Sequence, residues 1–428
     1  MTDYNELMNR LFLFLLDKWR NQMPRKDNRG YVLHSGEYQR ADGRYCFAYT
    51  DRTGKRHQIY SKTLVGMRER KKKLLRDYED GLDPHKAGTI EVSHMVDSYL
   101  ATKYDLKIST KGAYRNSAKY IDEGIGKCKI VDIKYTDIKR FYYGLMIDKG
   151  LKATTVDHVN TVLHPAFQMA VRDGLIRTNP TEGVMNEIKH SRYWIKEKRF
   201  ALSIPEQKQF MDFLRSSSKY HGWLPIFTIL LGTGLRIGEC LGLTWDDLDF
   251  EKRIISVNHS LSDRPDEEGD CRKRIETTTK TAAGMRTIPM VQEVFDAFLM
   301  EYEFQKIIGF CEEEVDGYSG FVFSTGSRTV QMAGAVNRAL HSIIDDANKL
   351  EERLAKQEKR EPIMIPQISA HNLRHTFCTR LCENESNLKV IQSIMGHHDI
   401  STTMDIYAEC TGEKKQEVMA NLEGKIII

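Results

Sequence analysis

The sequence predicts a multidomain chain: a small β-β-β-α unit, then an all-helical domain, then a mainly helical α+β domain carrying a small β-sheet. Three observations predict it. At 428 residues the chain exceeds what one core usually organises, so two or three domains are expected. Aromatic and basic residues interleave between turn signals near the N-terminus, the mark of strands. Beyond residue 89 apolar residues recur at helical spacing, with one strand-like run after residue 254.

Residues 1–23 read as an N-terminal extension. Leu7, Leu11, Phe14 and Leu15 stand at helical spacing, which predicts an amphipathic segment. The apolar run Leu11–Leu16 is flanked by Arg10 and Asp17 and lacks a small-residue cleavage site. It is too short to cross a bilayer and is not laid out as a signal peptide. With no membrane or targeting segment after it, a cytoplasmic protein is expected. The 8 cysteines form no CxxC pair, a usage that fits reduced thiols rather than a disulfide framework.

Residues 24–84 supply the β-β-β-α unit. Tyr45–Tyr49 and Gln58–Tyr60 are aromatic-rich, with turns at Ala41-Asp42-Gly43 and Asp51-Arg52-Thr53-Gly54. A basic helix follows from about Leu64 to Asp80, and Gly81, Asp83 and Pro84 stop it. Between Pro24 and Arg76 there are 15 Lys/Arg against 5 Asp/Glu, although the whole chain carries a net charge of only +4. So dense a local surplus suits a polyanion partner. Strands with Arg and aromatic residues on one face can lie in a DNA groove. Arg25, Arg29, Arg44, Lys55 and Arg56 are the candidate contacts.

A linker around Pro84–Gly88 leads into residues 89–186, a small helical domain. Its apolar rows run through Met95, Tyr99 and Leu100, then Ile138, Phe141, Tyr142 and Leu145, then Val159, Val162, Leu163, Phe167, Ala170 and Val171. Asn179-Pro180 and Gly183 end its last helix. A basic stretch, Lys189 to Arg199, joins it to residues 200–428. That third region opens on Ser203-Ile204-Pro205-Glu206, a capping box with Pro in the first turn. Strands are expected at Ile254–Val257, Arg274–Thr278 and Arg286–Pro289. Asp263 to Asp270 reads as a polar loop, and Glu351 to Glu361 as a solvated helix.

Four segments of the third region carry chemistry. They are Gly232-Thr233-Gly234-Leu235-Arg236-Ile237-Gly238-Glu239, Lys280-Thr281-Ala282-Ala283-Gly284-Met285-Arg286-Thr287-Ile288-Pro289, His371-Asn372-Leu373-Arg374-His375, and Gly396-His397 followed by Tyr407. Each alone is a common pattern; together they fit phosphoryl transfer on a DNA diester. That transition state needs fixed cations against its non-bridging oxygens. Arg236 and Arg374 can each fork onto phosphate oxygens. His371, three residues before Arg374, projects from the same helix face. A tyrosine hydroxyl is a suitable nucleophile, since a phosphotyrosyl link conserves the bond energy. Lys280, on a hairpin, can protonate the leaving 5′ oxygen. His397 can bind the phosphate or orient the tyrosine, and Glu239 can orient an arginine.

These segments resemble the tyrosine recombinase family: an Arg after a TG turn, a Lys in a β-hairpin, H-x-x-R, G-H and a terminal Tyr. Arg236, Lys280, His371, Arg374, His397 and Tyr407 fill the six positions, over roughly residues 200–410. The resemblance implies a site-specific DNA strand transferase with no cofactor and no metal, working through a 3′-phosphotyrosyl intermediate. It also implies an all-α SAM-like core-binding domain and a homotetramer in the synaptic complex, the C-terminal tail docking on a neighbour. Asp27-Asn28-Arg29-Gly30, Gly43-Arg44-Tyr45 and Tyr60-Ser61 look like the arm-binding domains of conjugative-transposon integrases of Gram-positive bacteria. The partners implied are double-stranded DNA at core and arm sites and an excisionase, in a bacterial cytoplasm at the nucleoid, with no membrane.

Three other readings compete. His371 and His375, with His397, His398 or Cys378, have the makings of a zinc site, but Arg374 lies between the pair and no Glu stands as base. A non-catalytic DNA-binding regulator would show a degenerate position among the six. A type IB topoisomerase shares the chemistry and lacks the separate arm-binding domain.

Overall fold

The computed structural model describes residues 25–51, 54–106, 108–195, 200–262, 272–277, 285–397, 399–401 and 403–408. The expected N-terminal extension, the loop at 263–270 and the tail from 409 lie outside them. The chain forms two compact units, Met1–Lys196 and Glu197–Ile428.

The first unit holds two hydrophobic cores. In the smaller, β1 (Glu37–Gln39), β2 (Tyr45–Thr50) and β3 (Arg56–Ser61) form an antiparallel meander covered by α1 (Leu64–Glu79). Period-2 alternation sends Tyr45 and Phe47 inward onto Met67 and Leu74 of α1. The register sets Tyr38, Cys46 and Tyr60 side by side on the other face. There Arg40 and Arg44 lie over the Tyr60 ring, 5.4 and 5.8 Å from its centroid. Glu37 is fully buried because α1 supplies its cations, Lys71 at 2.9 Å and Arg68 at 3.1 Å.

The expected linker is instead a short helix, α2 (Pro84–Ala87). Proline suits a first helical position, whose N–H has no intrahelical acceptor, and Ala87 is buried in the second core. That core is built by α3 (Val92–Ala101), α4 (Ile108–Ile121), α5 (Tyr135–Ile147), α6 (Ala153–Arg172) and α7 (Val184–Lys189). The helical rows read from the sequence face one another there, with Ile138, Tyr142, Leu163 and Phe167 fully buried.

The second unit is mainly helical. Its helices are α8 (Ile204–Ser216), α9 (Leu224–Thr233), α10 (Ile237–Gly242), α11 (Gln292–Ile308), α12 (Ala333–Glu358), α13 (Ala370–Asn384) and α14 (Leu388–Met395). Ser203 and Glu206 cap α8 reciprocally, as their spacing predicts. Two small sheets sit beside them: β4 (Leu248–Asp249) with β5 (Ile254–Val257) and β8 (Arg286–Pro289), and β6 (His259–Ser262) with β7 (Arg274–Thr277).

β7 and β8 do not pair with each other. Val257 faces Arg286 and His259 faces Thr277, so β7 and β8 pair with successive stretches of the same neighbour. Lys280, expected on a hairpin, lies outside the described residues. β6 also carries α10: a Cβ on Gly238 would stand 2.6 Å from the Leu261 carbonyl, and one on Gly242 2.9 Å from the Leu261 nitrogen.

Candidate active site

At the end of α9 the chain turns at Gly234, φ +64°, a left-handed conformation that favours glycine. The turn brings Arg236 to the N-cap of α10. Glu239, three residues on, accepts the Arg236 backbone N–H at 2.9 Å and its Nη1 at 2.7 Å. From β8, Arg286 donates Nη1 and Nη2 to the two oxygens of the same carboxylate, at 3.1 and 2.8 Å. Arg374, on α13, brings its Nη1 to 4.0 Å from Glu239 Oε2. It donates to the Gly234 and Met395 carbonyls, both at 2.6 Å.

The C-terminus of α14 organises this cluster. Three successive carbonyls each take one guanidinium: Ile394 from Arg286 at 2.9 Å, Met395 from Arg374, and Gly396 from Arg236 at 3.1 Å. A helix end leaves its last carbonyls without intrahelical partners and carries the negative end of the dipole, so cations gather there. Gly396, φ +62°, makes the turn possible.

Electrostatics follow from this packing. Burial alone would raise the Glu239 pKa, but the Arg286 hydrogen bond and charge and the Arg236 charge hold it at about 2. For Arg374, burial and then repulsion from Arg236 lower the pKa to about 9, so it stays cationic at neutral pH. Three guanidinium groups thus share one carboxylate, and the surplus is positive. Arg236 is the open member, with a side chain 44% exposed against 5% for Arg286 and 3% for Arg374. The surplus positive charge is thus open to solvent through Arg236, an arrangement that can take up an anion.

His397 follows Gly396 and is buried. Burial, then the charges of Arg374, Arg236 and Arg286, lower its pKa to about 4, so the ring is neutral at pH 7. Its Nδ1 lies 2.9 Å from Thr403 Oγ1. A hydroxyl donating to Nδ1 leaves the proton on Nε2, a neutral donor. His371 is exposed on α13 and close enough to lower the His397 pKa. Tyr407 lies in the helical segment 403–408, half-buried, against a small apolar cluster of Cys378, Cys382, Ile391, Met395 and Ile406. Thr403, four residues earlier, ties that segment to His397. His375 is buried, and among the described residues no group of three or more His, Cys, Asp and Glu is gathered as a metal site.

Arg236, Arg374, His371 and His397 are therefore brought together, and Tyr407 lies on the segment that Thr403 joins to them. Arg286 is the participant whose place sequence reasoning missed; nothing local signals that a strand residue will reach Glu239 and α14. In the first unit Arg25, Arg29, Arg44, Lys55 and Arg56 are all exposed. Arg44 also pairs with Asp42 at 2.7 Å. No helix of the described residues is long and apolar enough to cross a membrane.

Residues 202–413 match the phage integrase family, and residues 21–83 match the DNA binding domain of Tn916 integrase. The transposase from transposon Tn916 of Enterococcus faecalis is 31% identical over 93% of this chain and 96% of its own length. A XerC-like tyrosine recombinase of Caldanaerobacter subterraneus is 27% identical over 95% of this chain and its full length. The structure of the Tn1549 transposon integrase in complex with transposon right end DNA superposes with a TM-score of 0.65. Identity is 30%, over 78% of this chain and all of that one. The chain belongs to the phage integrase family and is a site-specific tyrosine recombinase.

Proposed function

We propose that Tyr407 is the nucleophile of the strand-transfer reaction and that Arg236 and Arg374 hold the scissile phosphate. The observation that carries this reading is the set of three guanidinium groups around Glu239 with Arg236 open to solvent. The surplus charge matches a diester whose non-bridging oxygens gain negative charge in the transition state.

The Tyr407 oxygen forms a bond to phosphorus as the bond to the 5′ oxygen breaks, and the phenolic proton passes to water. Lys280 gives its proton to the departing 5′ oxygen. His371 stands beside the phosphate, and neutral His397 donates Nε2–H to a non-bridging oxygen. The 3′-phosphotyrosyl link keeps the bond energy, and attack by a new 5′ hydroxyl reverses the step. No metal or cofactor is required by this balance.

Residues 24–84 read distal arm sites, while residues 89–186 and the catalytic region 200–428 take the core site. The basic, aromatic face around Arg40, Arg44 and Tyr60 supports the first assignment, and the DNA-bound Tn1549 integrase supports the second. The protein integrates and excises a mobile element as a homotetramer in the synaptic complex, with an excisionase as further partner. Its place is the bacterial cytoplasm, at the nucleoid.

A nicked suicide substrate tests the chemistry. The wild type should accumulate a covalent adduct in EDTA, and Tyr407→Phe should bind the DNA and trap none. An adduct with Tyr407→Phe would mean the nucleophile is another residue.

A further inference from the structure

Arg286 has no task in the strand-transfer reaction proposed above, yet its guanidinium joins two parts of the cluster, Glu239 and the end of α14. Its Nη1 and Nη2 take both oxygens of Glu239, and its Nε donates to the Ile394 carbonyl at 2.9 Å. Its side chain is 5% exposed, so it is not the group an incoming phosphate meets first. The backbone has been shaped around it. A Cβ on Gly396 would stand 2.8 Å from Arg286 Nη1 and 3.1 Å from its Cδ and Cζ.

Consider Glu239 without this partner. A buried carboxylate must be matched by charge and hydrogen bonds. The remaining cations in reach are Arg236, already at 2.7 Å, and Arg374, whose Nη1 stands 4.0 Å away. Both would be drawn onto the carboxylate, and each guanidinium so engaged has fewer N–H groups for a phosphate. We propose that Arg286 is a positioning residue for the phosphate clamp: it saturates Glu239 and pins the end of α14, so that Arg236 and Arg374 keep free N–H groups aimed at the DNA.

Glu239 in turn is the part through which Arg286 acts. The effect of losing Arg286 must therefore depend on the Glu239 charge and fall on the cleavage step with site affinity kept, whereas a merely structural contact would lower stability, cleavage and site affinity together. The proposal rests on the reading of Arg236 and Arg374 as phosphate ligands, and the test separates the two.

The experiment is single-turnover cleavage of a nicked core-site duplex by the full-length chain. Four proteins form a double-mutant cycle: wild type, Arg286→Gln, Glu239→Gln and the double variant. Site affinity and thermal melting are measured alongside, and Arg374→Lys is run in parallel. Arg286→Gln should lose about 100-fold in cleavage rate, the scale for one misdirected transition-state donor, with site affinity within about threefold. In the Glu239→Gln background the same change should cost less than about threefold, since no buried carboxylate remains to capture the clamp. If Arg286→Gln does not fold, the comparison of Glu239→Gln with the double variant still decides. A loss of about 100-fold between those two overturns the proposal, as does wild-type cleavage by Arg286→Gln. If Arg374→Lys cleaves like the wild type, the phosphate-ligand reading itself has failed. If Arg374→Lys is inactive while the cycle is additive, only the role of Arg286 is refuted.

Discussion

Gly396→Ala puts the arginine-organising turn under direct strain. The residue closes α14 at φ +62°, and an alanine there costs roughly 1–2 kcal/mol in backbone conformation alone. Its Cβ would also stand 2.8 Å from Arg286 Nη1. Arg286 has nowhere easy to go, because Glu239 and the Ile394 carbonyl hold it at 2.8 to 3.1 Å. Shifting a buried charged pair adds about 1–3 kcal/mol, short of the cost of breaking it. The sum, about 2–5 kcal/mol, corresponds to a melting shift of roughly 5–15 °C for a domain of this size. The Gly396 carbonyl also orients Arg236 at 3.1 Å, so cleavage should fall at least about tenfold. Differential scanning calorimetry and single-turnover cleavage at a temperature where the variant is folded measure the two effects separately. A melting temperature within about 2 °C of the wild type together with unchanged cleavage would refute the argument.

Other consequences are independent of that turn. Thr403→Val removes the hydroxyl 2.9 Å from His397 Nδ1; cleavage should drop roughly tenfold with unchanged site affinity, read by filter binding and single-turnover assay. His397 is buried with its pKa lowered from 6.5 to about 4. The unfolded chain therefore takes up that proton first, and stability should fall as pH drops from 6.5 toward 4. In His397→Asn, the melting temperature should fall less steeply over that window. Glu301 has the opposite sign: burial raises its pKa from 4.5 to about 7, so the neutral acid is native. Its contribution is present below pH 4.5 and lost as pH rises through 7. Glu301→Gln should therefore raise the melting temperature more at pH 8 than at pH 5. Deleting residues 1–85 should spare core-site binding and abolish arm-site binding, and the arm-site affinity of the full chain should fall steeply with salt.

Much of this was legible because the pattern was local. The apolar rows Ile138-Tyr142 and Leu163-Phe167, the capping box at Ser203 and the strand Arg286–Pro289 are set by neighbours a few residues away. So was the pairing of Arg236 with Glu239, one helical turn apart. What depended on distant chain segments was not. β6 was missed because His259–Ser262 offers only Leu261 as an apolar signal; it is a strand because α10 packs on it through glycines and β7 pairs with it. The linker at Pro84 proved helical because Ala87 finds a core that its own sequence does not announce. Arg286 reaches Glu239 only through the β5–β8 register and the arrival of α14 from more than a hundred residues away.

The central claim is that Arg236 and Arg374 meet one backbone phosphate. The most direct measurement is a structure of the full-length Tyr407→Phe protein on its core-site duplex. The account predicts non-bridging oxygens of a single phosphate about 3 Å from the guanidinium groups of both arginines, with His397 Nε2 turned to the same group. A scissile phosphate bound elsewhere, out of reach of the guanidinium group of Arg236 or of Arg374, would contradict it.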